Sequence, residues 1–170
     1  MPSRYCEPRR TSPHSELGPL PMAAAANDRG DAVEISIPPR TEYVAMVRNF
    51  VAEAVARQAG VDARRLEDLR VAVSEAVTNA IAAHAARRTG APIRICCVPS
   101  PGRVEIGVYD RGGGFDPARV PEPPEPTDPH RLETEKGMGL WLMRIMSDDH
   151  SIATSRRGTE VRLVVHTSSG

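Results

Sequence analysis

The chain carries no excess of either charge: 22 Lys and Arg stand against 22 Asp and Glu in 170 residues. The broad positive field of a non-specific nucleic-acid binder is therefore missing, and no direct nucleic-acid ligand is expected. Long apolar runs are also missing. No segment approaches the roughly eighteen apolar residues of a membrane span, and no apolar stretch follows the N-terminal arginines as a secretory leader requires. A cytoplasmic protein without a membrane partner is expected. Cysteine is scarce. Cys6, Cys96 and Cys97 are odd in number, and the adjacent pair is poorly placed to bridge itself or to chelate zinc, so all three are expected as reduced thiols. No G-x-x-x-x-G-K-[ST] sequence is present, and Gly112-x-Gly114 lacks the third glycine and the helix of a dinucleotide fingerprint. A nucleotide, if bound, is held in another way.

What remains is one domain with a loose end. Residues 1–30 hold five of the sixteen prolines, the pair Arg9-Arg10 and no apolar periodicity, which predicts a disordered tail. From residue 31 to 168 the pattern is that of a folded unit. Val33, Ile35 and Ile37 alternate with Glu34 and Ser36 as in an edge or half-buried strand, which Pro38-Pro39 stops. Thr41 is placed to cap a helix reaching Gly60, with Val44, Val47, Phe50, Val51, Ala54 and Val55 on its apolar face. Asp62 caps a longer helix to about Ala86, with Leu66, Leu69, Val73, Val77, Ala80 and Ile81 as the buried stripe.

Two strands, Ile93–Val98 and Arg103–Tyr109, flank the turn sequence Pro99-Ser-Pro-Gly102 and predict an antiparallel hairpin with Val104, Ile106 and Val108 facing the core. Residues 117–136 contain six prolines and hardly an apolar side chain. A structureless loop of that length inside a compact domain is usually a functional lid. Gly137-Met-Gly139 then opens a third helix with Leu140, Met143 and either Ile145 or Met146 inward, before strands near Ser151–Thr154 and Thr159–Val165.

The chemistry-bearing residues are few. Glu75 and Asn79 lie four apart on the second helix, so both project from one face, one turn apart. Asp110 ends a buried strand and is followed by Gly112, Gly113 and Gly114, where backbone can approach a ligand and a carboxylate can accept from an amine. Gly137-x-Gly139 at a helix start offers unpaired N–H groups and the positive end of the helix dipole, a phosphate site that needs no Walker sequence.

In this order the segments Ser74-Glu-Ala-Val-Thr-Asn-Ala-Ile81 with His84 after it, Asp110-Arg-Gly-Gly-Gly-Phe-Asp-Pro117, Lys136-Gly-Met-Gly-Leu140 and Gly158-Thr159 resemble the nucleotide-binding boxes of the GHKL (Bergerat-fold) ATPases, and among them the anti-sigma-factor serine kinases. The likeness spans roughly residues 32–166. It implies an α/β fold, a two-layer sandwich in which a mixed, mainly antiparallel sheet is covered by helices on one face. It implies ATP and Mg2+ as cofactors. By the resemblance, Asn79 coordinates the magnesium, Glu75 is the general base toward a serine hydroxyl, and Asp110 accepts from the adenine amino group. Gly112 and Gly114 give the base room, Thr159 adds a polar contact beside it, and the backbone of Gly137, Gly139 and Leu140 cradles the phosphates. Residues 117–136 form the lid, from which Arg131 and Lys136 are both candidates to reach the γ-phosphate. The chain departs from the family pattern at Ala86, where relatives often carry an aromatic, and at Met138, where some carry arginine.

The implied function is an anti-sigma factor that sequesters a sigma factor and phosphorylates a serine or threonine of a small STAS-type antagonist, with homodimerisation through a first helix whose exposed Arg48 and Arg57 suit acidic partner residues. The alternative is a regulator that binds ATP and a partner without catalysis. Glu75 favours the kinase, because magnesium and base contacts fall to other residues. The catalytic half of a sensor histidine kinase is disfavoured, since the only N-terminal histidine, His14, lies in a proline-rich stretch that cannot form a phosphoacceptor helix.

Overall fold

The computed structural model describes residues 32–57, 61–114 and 138–167. The expected tail, the helix end at Gly60, the lid over 117–136 and Gly137 lie outside the described residues. In chain order the elements are β1 (Val33–Ile37), a 3-10 turn (Thr41–Tyr43), α1 (Val44–Ala56), α2 (Ala63–Arg87), β2 (Ile93–Ser100), β3 (Arg103–Tyr109), α3 (Met138–Ile145), β4 (Asp149–Ser155) and β5 (Gly158–His166). The five strands form one sheet in the order β1-β2-β3-β5-β4, and each neighbouring pair is antiparallel. The sheet expected to be mainly antiparallel is thus antiparallel at every described pairing. β1 is an edge strand, as its alternation predicts.

Register places one apolar row from each strand on the same side. Ile35 faces Ile95, which faces Val108, which faces Val161, which faces Ile152. Ile37, Ile93, Ile95, Val104, Ile106, Val108, Leu163 and Val165 on this side are buried, together with Val47, Val51 and Val55 of α1, Leu69, Val73 and Val77 of α2, and Met143 of α3. Each such side chain stabilises the fold by about 1.5–3 kcal/mol relative to exposure. The helices therefore cover one face, and α2 runs across it.

The start of α2 follows its local signal: the Asp62 carboxylate accepts the Arg65 N–H at 2.8 Å. The start of α1 does not. Thr41 was expected to cap it, but Thr41–Tyr43 wind as a 3-10 turn, and Tyr43, the residue before α1, makes no side-chain capping bond. The Tyr43 N–H donates instead to the Arg40 carbonyl at 3.2 Å, so a backbone turn takes up the orphan donor that a cap would have met. In α3, the choice between Ile145 and Met146 falls to Met146, which packs against the core while Ile145 is 49% exposed.

Successive strand residues face opposite sides of a sheet, which separates the two adjacent cysteines. Cys97 lies in the core as a free thiol, and burial pushes it up to about 12. Cys96, 3% exposed, faces the other side of the sheet, opposite Glu34 of β1 and Gly107 of β3. On that same side Arg162 of β5 meets the buried Glu105 of β3 twice, through Nη2 to Oε2 at 2.8 Å and Nε to Oε1 at 2.7 Å. This pair pins the two strands whose ends carry Asp110 and Thr159.

A second tie joins α2 to the sheet. Asp148 accepts from the Arg65 guanidinium and from the His166 N–H, the latter at 2.7 Å. The Arg65 hydrogen bond holds the Asp148 carboxyl below its ordinary value of 3.8. A carboxylate whose folded value is depressed stabilises above its unfolded value, and the effect is lost as pH falls through the folded value. Asp148→Asn is therefore expected to lower stability at pH 7 by less than about 1 kcal/mol, since the pair is partly exposed. Urea midpoints of variant and wild type should converge as the pH is taken below 3.8; a difference that persists unchanged in acid removes the ionic part of this tie.

Candidate active site

α2 carries the first half of the site. Its buried stripe of Leu69, Val73, Val77 and Ala80 points into the core, which turns Glu75, half-buried, and Asn79, exposed, toward a neighbouring edge of the helix one turn apart. The first turn of α3 packs there. A Cβ at Gly139 would stand 2.8 Å from Glu75 Oε2 and 3.2 Å from Asn79 Nδ2, so the α3 backbone lies close to the ends of both side chains, which would have to shift for a larger residue. Leu140 follows, partly buried against the core, and so anchors the helix start. The first turn of α3 thus stands beside a carboxylate and a carboxamide.

Asp110 forms the second half, at the end of β3. Its backbone N–H donates to the Thr159 carbonyl at 2.9 Å, continuing the β3–β5 ladder by one residue. Its Oδ1 accepts two backbone N–H groups, Gly112 at 2.7 Å and Thr159 at 3.3 Å. Oδ2 makes no hydrogen bond to the described residues, so one oxygen fixes the side chain and the other is left to accept from a ligand. Thr159 is 6% exposed and reaches Asp110 through its backbone on both counts.

The loop after Asp110 is wedged between α2 and the β4–β5 turn. Gly112 packs on Ala83 and His84, and Gly114 sits against the Ser155 carbonyl. The tightest approach is at Gly158, with φ +141, where a Cβ would fall 1.9 Å from the Asp110 carbonyl oxygen. Three further residues belong to this frame and were given no role from sequence. His84 Nε2 accepts the Arg111 N–H at 2.9 Å. Arg87 Nη1 donates to the Arg156 carbonyl at 2.6 Å, tying the end of α2 to the β4–β5 turn. Gly158 supplies the clearance just described. A signal for His84 was present: it continues the apolar stripe of α2 at the spacing of Val77, Ala80 and Ile81, where a polar residue calls for a partner.

The structure brings Glu75, Asn79, Gly139 and Leu140 together at one end and Asp110, Gly112, Gly114 and Thr159 at the other, with α2 running past both. Among the described residues no group of three or more His, Cys, Asp and Glu is placed to hold a metal ion. A magnesium ion fits such a site, because it is commonly held by one or two side-chain oxygens together with substrate phosphates and water. Also among the described residues, no helix is long and apolar enough to cross a membrane.

Comparisons with known proteins identify the family. Residues 37–165 match the model of the histidine kinase-like ATPase domain. The serine-protein kinase RsbW of Oceanobacillus iheyensis is 34% identical over 125 residues, covering 72% of this chain and 78% of its own length. Its namesakes in Bacillus pumilus and Bacillus thuringiensis are 34% and 35% identical over 128 residues, at similar coverage. The crystal structure of the RsbU and RsbW domains of Rv1364c from Mycobacterium tuberculosis shares the fold, with a TM-score of 0.59 at 19% identity over 82% of this chain and 33% of that one. With a match across most of its length and relatives above 30% identity, this chain belongs to the histidine kinase-like ATPase domain family.

Proposed function

We propose that this protein is an ATP-dependent serine/threonine kinase that phosphorylates a small antagonist protein and, as an anti-sigma factor, sequesters a sigma factor in the cytoplasm. The observation that carries the kinase reading is the packing of Gly139 against Glu75 and Asn79, which sets a carboxylate and an oxygen ligand beside the phosphate-binding end of α3. Relatives bearing the name serine-protein kinase across most of this chain support it.

Glu75 acts as general base. It takes the proton from the attacking serine or threonine hydroxyl as that oxygen bonds to the γ-phosphorus, and the bond to the bridging oxygen breaks with its electron pair leaving on ADP. Being half-buried beside the helix, its carboxylate is positioned without being locked in an ion pair to a described residue. Asn79 offers its amide oxygen to magnesium, which when bound neutralises phosphate charge. The N–H groups of Gly139 and Leu140 receive phosphate oxygens at the positive end of α3. Asp110 recognises the adenine amino group through the oxygen that its internal hydrogen bonds leave unused. Gly112 and Gly114 let the loop beside Asp110 pack closely against α2 and the β4–β5 turn, which holds it at the base site. Arg48 and Arg57, both exposed on α1 or at its end, suit an acidic partner or a homodimer contact.

The direct test is phosphate transfer from labelled Mg-ATP to proteins of the host lysate, with the modified site read by mass spectrometry. A new phosphoserine or phosphothreonine on a small antagonist is expected. Capture of a sigma factor together with its antagonist, with no new phosphosite on the antagonist, overturns the kinase step. Asn79→Ala is expected to weaken ATP binding at least about tenfold in magnesium and far less in EDTA. Calorimetric titrations that superimpose on wild type in magnesium remove Asn79 as the ligand.

A further inference from the structure

His84 is 1% exposed, and it is the one strongly polar side chain buried on the core stripe of α2. Its ring reaches from the helix to the loop after β3, where Nε2 accepts the Arg111 N–H at 2.9 Å. A ring nitrogen that accepts carries no proton, so the neutral imidazole holds its proton on Nδ1. That atom is buried and has no hydrogen-bond partner among the described residues. A buried donor without a partner is destabilising, and an apolar side chain of similar volume would fill the space without it. Packing therefore does not account for a histidine at this position. Its acceptor does.

The peptide that His84 holds links Asp110 to Gly112. Asp110 Oδ1 accepts the Gly112 N–H at 2.7 Å, so the geometry of the carboxylate depends on where the intervening Arg111 peptide lies. From the other side Gly112 packs on Ala83 and on the His84 backbone. The β5 side of the carboxylate is held independently by the Thr159 N–H, at 3.3 Å, the longer of its two bonds. The shorter bond is the one that runs through the peptide anchored on His84.

We propose that His84 is a positioning residue for base recognition: by accepting the Arg111 N–H it sets the Asp110 carboxylate so that its second oxygen discriminates adenine from guanine. This rests on the assignment of Asp110 to the adenine amino group. At the matching position guanine presents a carbonyl oxygen, and an acceptor facing a fixed carboxylate is rejected in proportion to how firmly that carboxylate is held. Loosening the Arg111 peptide lowers affinity for ATP and leaves weak GTP binding nearly unchanged.

The test is the affinity of the full chain for Mg-ATP and Mg-GTP in wild type, His84→Gln and His84→Asn. Glutamine can place an amide oxygen near the position of Nε2, whereas the asparagine amide ends at the level of Nδ1 and cannot reach the Arg111 N–H. His84→Gln is expected to keep the ATP-to-GTP preference within about threefold of wild type, and His84→Asn to lose it by about tenfold through weaker ATP binding. His84→Met, apolar and of comparable volume, is expected to behave like Asn and serves if the Asn variant does not fold. A purely structural role lowers the melting temperature without moving the ratio. An ATP-selective wild type with equally selective folded variants overturns the role of His84 alone. A wild type that prefers neither nucleotide overturns the assignment of Asp110 and the inference with it.

Discussion

Glu75→Gln is expected to reduce phosphate transfer by about 100- to 10,000-fold while leaving ATP affinity unchanged, the range that removal of a general base covers. The substitution keeps the volume that packs against Gly139, so the first turn of α3 has no reason to move. Only the ability to take a proton is lost. Such a split, with the chemical step falling and nucleotide binding preserved, marks a group used in the transition state and not in the ground state. Single-turnover transfer and equilibrium ATP binding, measured on the same preparation, separate the two. Transfer at the wild-type rate places the base elsewhere, and parallel losses in transfer and binding turn Glu75 into a part of the nucleotide site.

The second large effect is expected at Gly158. Its φ of +141 is one that a residue with a side chain rarely adopts, and a Cβ there would overlap the Asp110 carbonyl at 1.9 Å. Backbone cannot yield as a flexible side chain does. Gly158→Ala must therefore part β5 from the end of β3, at a cost on the order of 3–5 kcal/mol, a large share of the stability of a domain this size. The rupture falls where the Thr159 N–H and carbonyl hold Asp110, so the nucleotide is expected to be lost with the stability. Urea denaturation beside ATP binding checks both. A folded Gly158→Ala protein with wild-type ATP affinity shows that Asp110 does not depend on this contact.

The two predictions differ in what the sequence disclosed about them. Glu75 is legible as a candidate from its spacing to Asn79 on a helix whose cap at Asp62 and apolar stripe are both local signals. A helix needs only a few neighbours to declare itself, since its hydrogen bonds and its periodic face lie within the chain segment. Gly158 was legible only as part of a family box, because nothing in the turn between β4 and β5 announces a carbonyl arriving from Asp110. The same holds for the Thr159 backbone, which meets Asp110 through both its N–H and its carbonyl. Thr41 went astray because a 3-10 turn replaced the cap.

The sequence by itself determined the elements, the alternation that names the core face of each strand, and the presence of Glu75, Asn79 and Asp110 at the ends or on the faces of those elements. These follow from propensity, capping and period, which act over a few residues. Only the tertiary structure decided that Gly139 lies against Glu75 and Asn79, that Asp110 spends one carboxylate oxygen on Gly112 and Thr159, and that His84 holds the Arg111 peptide 27 residues along the chain. Those meetings depend on strand register and on the seating of α2 and α3 over one face of the sheet. Both are settled by packing many side chains at once, since a slip of one residue turns every side chain of a strand to the other face.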